Sequence, residues 1–318
     1  MHQTHEANHE HHDAAVHSPT ALLPLVDSHH HLWQLDALDY KWLKDEGALK
    51  PFGDPTPIQR DYLIEEYRRD IASQHVIKSV HVQADGAITD PVTETAWLQA
   101  IADRHPDPFP HAIVGYANLD DASAEDVLQR HCQHRNMRGI RQILSHHPDS
   151  RLSFTAKEYL DSPTWRHNFA KLAPLGLSFD LQLYPHQMQQ AARFLEQHPD
   201  VPVVIDHAGS PWDQSPVGLA AWKYSLSLLA ELEQVYVKMS GLGMFDRHWN
   251  EQRLSFVTDT LLELFGSKRV MVGSNFPVDS LSASYDQVME SYRRQLLQLS
   301  TDEQTNILAA NAERFYRI

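Results

Sequence analysis

The sequence predicts an α/β fold, a single (β/α)8 barrel, on three observations. From Pro24 onward, short apolar or β-branched runs alternate strictly with longer stretches of helical period. The short runs number eight, and no Gly/Ser-rich or Pro-rich linker divides them. The chain's 318 residues fit one such barrel, since single α/β barrels run to roughly 250 residues or more. With 42% hydrophobic and 22% charged residues the chain can build a large core, which excludes global disorder. A doubly wound open sheet is the alternative, because closure is not visible in a sequence.

In chain order the strand candidates are LVDSHHHL (25–32), IKSVHVQA (77–84), HAIVGYAN (111–118) and MRGIRQIL (137–144). They continue with LSFDLQLY (177–184), VPVVIDHA (201–208), VYVKMSGL (235–242) and RVMVGSNF (269–276). Between them, RDYLIEEYRRDIAS, VTETAWLQAIADRH, HQMQQAARFLEQH, WKYSLSLLAELEQ and LSFVTDTLLELFG carry apolar residues three and four apart, the stripe of a helix packed on a sheet. TDEQTNILAANAERFYRI closes the pattern as a terminal helix. One stretch breaks the rhythm: about 25 residues after the first strand hold Trp33, Tyr40, Trp42 and Phe52. A long aromatic loop at the face where such barrels hold their sites predicts a lid or substrate wall, or a hydrophobic cluster covering the barrel end.

Charge narrows the partners. Twenty-seven basic against 42 acidic residues leave −15, the wrong sign for a phosphate-backbone footprint, so nucleic acid is not expected. No apolar run approaches the about 18 residues of a membrane helix, and the N-terminus lacks the marks of an export signal. A soluble, cytoplasmic protein with no membrane partner is the expectation. Cys132, the single cysteine, cannot form an internal disulfide and is expected as a packed thiol in an amphipathic stretch. Residues 1–23 include His2, His5, His9, His11, His12 and His17 without an apolar period. They are expected as a disordered His-rich extension, with metal capture as the other reading, and the barrel as 24–318. The oligomeric state stays open, a homo-oligomer included.

Chemistry concentrates at strand ends. Side chains alternate along a strand, so His29 and His31 point the same way and can hold one divalent cation, with Asp27 available to orient a ring. His207 ends the sixth run, at an equivalent place, and Gly209 permits a sharp exit; Asp206 should point opposite to His207 and act structurally. Arg141, Asp180, Gln83, Gln182, Lys238 and Ser240 interrupt apolar runs. Arg141 suits bidentate contact with a substrate carboxylate or polar oxygen, and Gln83 and Trp33 are further candidates for substrate contact. Asp180 is either a substrate contact or the buried partner of Lys238.

VDSHHHLW, KSVHVQAD, RGIRQIL, LSFDLQL, VIDHAG, VYVKMSGL, GSNFPVD and NAERFYRI, in that order over residues 25–318, resemble the amidohydrolase-related TIM-barrel hydrolases. The resemblance is to the branch with fuconolactonase and pyrone-dicarboxylate lactonase. It implies a metal or catalytic set of His29, His31 and His207, with Arg141 holding substrate oxygen. The eighth-strand position, an aspartate general base in understood relatives, falls on Asn275, and an amide cannot take that proton at neutral pH. Asn275 is then expected to orient water or substrate. Asp279 is either a substitute base or the cap of the following helix. A mononuclear zinc or manganese site is the implied cofactor, and metal-independent turnover is known in the branch. The implied activity is opening of a small carboxylated or sugar-acid lactone. A barrel that only binds a sugar acid or metal, or a decarboxylase of a small unsaturated acid, is the competing reading.

Overall fold

The computed structural model describes residues 22–318 except 46, 48, 49, 85–87 and 248–249, so residues 1–21 of the expected His-rich extension lie outside the described residues. All eight apolar runs form strands: β1 (Leu25–His30), β2 (Val76–Val82), β3 (Ala112–Gly115), β4 (Met137–Arg141), β5 (Ser178–Leu181), β6 (Val203–Ile205), β7 (Val235–Met239) and β8 (Val270–Val272). They pair in parallel, in chain order, into one eight-stranded sheet. The last strand returns to the first. Ser28 donates to the Val272 carbonyl at 2.6 Å, and a parallel bridge joins His30 to Phe276. The Asn275 N–H meets the His29 carbonyl, and the His31 N–H the Phe276 carbonyl, each at 2.7 Å. The sheet is therefore a barrel rather than an open doubly wound layer.

Helices alternate with the strands: α1 (Ile64–Asp70), preceded by one short turn of helix at Lys41–Lys44, α2 (Val92–Asp103), α3 (Ala124–His131), α4 (Pro163–Phe169), α5 (Met188–Leu195), α6 (Pro216–Ala230), α7 (Glu251–Phe265) and α8 (Tyr285–Leu296). Their starts follow local chemistry. Ser162, Ser215, Asn250 and Ser284 each accept a backbone N–H from the first turn, and Pro163 and Pro216 preset the first helical residue. Cys132 is the residue that ends α3, just past the buried His131, and it is exposed, which corrects the packed-thiol expectation.

One large apolar cluster fills the space between strands and helices. A second lies inside the barrel, where Val26, Val80, Val82, Val114, Val204 and Met271 meet Ala309, Ala312, Phe315 and Tyr316. The closing segment is helical from Thr301 to Tyr316, with a wider π turn at Asn306–Ala310, and its Ala309, Ala312, Phe315 and Tyr316 pack into the interior cluster. Among the described residues, no helix is long and apolar enough to cross a membrane.

Candidate active site

Two local devices aim the histidines. In β1 the register against β2 shifts between Asp27 and His30, which resets the alternation. Asp27 consequently faces outward, accepting from Tyr67, Tyr285, the Ser274 hydroxyl and the Ser274 N–H. It orients no imidazole ring, contrary to expectation, and burial pushes its carboxyl up. His29 and His31 turn inward together, and His30 turns away to stack on Tyr67. A Cβ on Gly273 would lie 2.6 Å from His29 Cβ, so the bare backbone of the segment after β8 makes room for that histidine.

The second device follows β6. His207 and Ala208 adopt left-handed φ values of 54° and 52°. A straight strand would send Asp206 and His207 to opposite sides; the turn folds the imidazole back over the mouth while Asp206 points into the barrel. Asp206 thus shares the interior with His207, against the sequence expectation. Gly241, itself at φ 62°, packs against this ring with no room for a side chain.

The rings of His29 and His31 have centroids 5.1 Å apart, and those of His29 and His207 4.6 Å. His31 and His207 line a cavity of about 600 Å³ with Arg141, Gln83, Gln182 and Asn275; His29 lies directly beneath, fully buried. Burial holds all three imidazoles below their ordinary range, His207 down to about 3, so the rings are neutral at pH 7. His31 Nδ1 donates to the Val82 carbonyl at 2.7 Å, and His207 Nδ1 is 3.1 Å from the Ser240 hydroxyl.

Beneath the rings lies a charge cluster that the sequence disclosed only in part. Asp206 Oδ1 is 3.0 Å from Lys238 Nζ and 3.3 Å from His29 Nδ1, and its Oδ2 is 3.4 Å from Arg141. Burial alone would raise the Asp206 carboxyl, but the Lys238 ammonium and His29 outweigh it and hold it well below the carboxylate range. Lys238 also bonds Asp180, which takes the Tyr316 hydroxyl at 2.9 Å. Asp180 is fully buried and does not line the cavity, so its expected substrate contact gives way to pairing with Lys238. Arg141 donates to the Gln83 carbonyl at 2.6 Å and to Gln182 at 3.3 Å. Two cations and two carboxylates thereby balance inside the barrel.

Asn275 follows β8, with its Oδ1 3.3 Å from His31 Nε2 and its Nδ2 donating to Asp279 Oδ1 at 3.0 Å. Asp279 does not cap the next helix; Ser284 does, in a reciprocal pair with Gln287. The aromatic loop forms the wall of the cavity. Trp33, Trp42, Phe52 and Phe154 follow one another at centroid distances of 5.6, 6.1 and 6.5 Å. Trp42 is tied to the Ala84 carbonyl and Trp33 to that of Arg60, so the loop is both wall and packed cluster.

For a divalent ion, the close donor set is His29, Asp206 and His207, whose ligand atoms lie within 4.8 Å of one another. Two imidazoles and a carboxylate suit zinc or manganese. His31, expected in this set, instead has its two nitrogens engaged by Val82 and Asn275. Lys238 and Arg141 lie against the same donors and weaken the hold on a cation while balancing Asp206 without one.

A barrel with strand-end histidines of this kind is the architecture of the amidohydrolases, and the amidohydrolase family model matches residues 26–318. The chain belongs to that family. Among its relatives, an uncharacterized protein, y4mH, of Sinorhizobium fredii is 37% identical over 93% of this chain and 99% of its own length. An L-fucono-1,5-lactonase of Burkholderia multivorans is 28% identical over 92% of this chain and 96% of its own. An amidohydrolase crystal structure from Burkholderia multivorans with bound zinc superposes with a TM-score of 0.77 at 28% identity, over 94% of this chain and all of that one.

Proposed function

We propose that the protein is a hydrolase that opens the ring of a small carboxylated or sugar-acid lactone by attack of an activated water. The carrying observation is the meeting of His31, His207, Asn275 and Arg141 at one end of a cavity that, among the described residues, has no carboxylate in its lining. Such a pocket favours an anionic ligand. Lys50 and Arg151 at its rim share their charge with Asp45 and Asp149, which leaves Arg141 as the cation that faces the cavity beside the histidines. Similarity to L-fucono-1,5-lactonases supports the reading.

In this reading Arg141 orients the substrate carboxylate or carbonyl, held in place by Gln83 and Gln182. His207, kept in one tautomer by Ser240, accepts a hydrogen bond from the attacking water, and Asn275 steadies water or carbonyl. The aromatic wall of Trp33 and Trp42 stacks on the ring and excludes bulk water. Water adds to the acyl carbon, the ring C–O bond breaks, and the water's proton passes to the departing alkoxide. A lactone fits better than an amide, because an alkoxide or enolate leaves with little acid assistance whereas an amine must be protonated. A divalent ion held by His29, Asp206 and His207 would polarise the carbonyl or acidify the water.

The test is proton release from a panel of sugar-acid lactones and pyrones, with and without chelator and added zinc or manganese, on protein starting near Ala21 so that the leading histidines bind no metal. Turnover of at least one lactone is expected. Carbon dioxide release, or binding without turnover, would overturn the proposal. A soluble, cytoplasmic place in carbohydrate breakdown accords with this chemistry.

A further inference from the structure

Asp279 is a buried carboxyl without a counter-ion among the described residues. It lies on the turn Val278–Leu281 after β8, 2% exposed, and as the amide is oriented it accepts from Asn275 Nδ2 at 3.0 Å and from the Gly243 N–H. The segments packed on this turn, Thr56–Ile58 and Leu242–Met244, bring no charged side chain, and the titratable group facing it from α8 is the Tyr292 phenol. A carboxyl deprived of both water and a cation is held in its neutral form. A neutral acid has an O–H to give, and the amide beside it must then offer oxygen rather than nitrogen.

The other side of the amide agrees independently. His31 Nδ1 is 2.7 Å from the Val82 carbonyl, a pure acceptor, so the proton of the neutral ring sits on Nδ1. Its Nε2 then presents a lone pair to Asn275 Oδ1 at 3.3 Å, a contact that an amide N–H satisfies and an amide oxygen does not, so the amide's O and N fit their two partners better exchanged. We propose that Asp279 is a positioning residue that, as a neutral acid, donates to Asn275 Oδ1 and thereby turns Asn275 Nδ2 toward His31 at the cavity floor. This rests on the hydrolytic reading of the same site. Loss of the Asp279 proton reverses the amide, sets its oxygen against the His31 lone pair, and removes the N–H from the site. Burial pushes the Asp279 carboxyl up to about 7, so turnover falls as pH rises past that point.

Asp279→Asn and Asp279→Ala separate the possibilities, with L-fucono-1,5-lactone as probe. Wild-type kcat/KM is expected to fall about tenfold on the alkaline side, the scale of one buried hydrogen bond. Asp279→Asn, whose amide still donates to Asn275, keeps turnover at pH 6 and loses the alkaline fall; Asp279→Ala is reduced about tenfold at both pH values. An Asp279→Asn protein as impaired as Asp279→Ala at pH 6, or one that keeps the alkaline fall, overturns the proposal. A second readout needs no substrate. Infrared difference spectra between pH 6 and 9 should show a protonated-carboxyl C=O band disappearing in the wild type and no such change in Asp279→Asn. Identical spectra overturn the proposal even if no lactone is turned over, which keeps its failure distinct from that of the hydrolytic reading.

Discussion

His29, His31 and His207 come from places 176 and 178 residues apart in sequence, yet strand-end position alone was enough to name them, because in parallel barrels that rim gathers polar side chains. Asp206 was misread for a definite reason. Alternation assigns it to the side opposite His207, and nothing in VIDHAG announces the left-handed backbone that brings both inward. Lys238 and Asp180 were visible as charges in apolar runs, but only packing decides that they pair. Replacing His207 by Ala should lower kcat/KM by about 100-fold or more, the range of a lost acid–base or orienting group. Near-wild-type lactone hydrolysis by that variant would remove the residue from the mechanism. Asp206→Asn should cost stability as well, about 3 kcal/mol or more in denaturant unfolding, because it strands the buried Lys238 and Arg141 charges.

The strands were legible because each is a Val/Ile/Leu-rich run bounded by polar or glycine residues, and the same reading located the aromatic loop after β1. The π turn in the closing helix and the shift in β1 had no such signature, since both arise where a segment fits itself to its neighbours. Ser284→Ala, which removes the cap of α8, should reduce unfolding free energy by about 1 kcal/mol and leave kcat/KM near wild type. Gly241→Ala is a different case. It forces a side chain onto a positive-φ residue pressed against His207, so both stability and lactone turnover should drop, the second more than the melting temperature predicts.

Over the molecule as a whole, six neutral imidazoles are buried among the described residues: His29, His30, His31, His81, His131 and His207. Burial depresses all of them, His81 and His207 to about 3 and His131 to about 4, so the unfolded chain binds more protons than the native one in acid. Their contribution to stability is full above the ordinary histidine value near 6.5 and is lost as pH falls from there toward 3. Asp279 has the opposite sign: its contribution is full below 3.8 and lost as pH rises through about 7. Melting temperature should therefore fall steeply below pH 6; Asp279, whose contribution grows as pH falls from about 7 toward 3.8, offsets part of that fall, so Asp279→Asn should steepen it. A melting temperature unchanged from pH 7 to 4 would contradict the buried neutral state of the histidines.

The stitch made by Asp27 carries a consequence for how the polypeptide reaches its finished shape. Asp27 grips Ser274, 247 positions away, and Tyr285, 258 positions away, in the same place where the first and last strands meet. A growing or refolding chain therefore leaves that carboxylate with Tyr67 as its one side-chain partner until its final staves dock, and a half-barrel of β1–β4 possesses Arg141 and His29 without Asp206 or Asn275. Such large sequence separation makes closure the slow, late event, and catalytic competence should appear only with it rather than accumulate stave by stave.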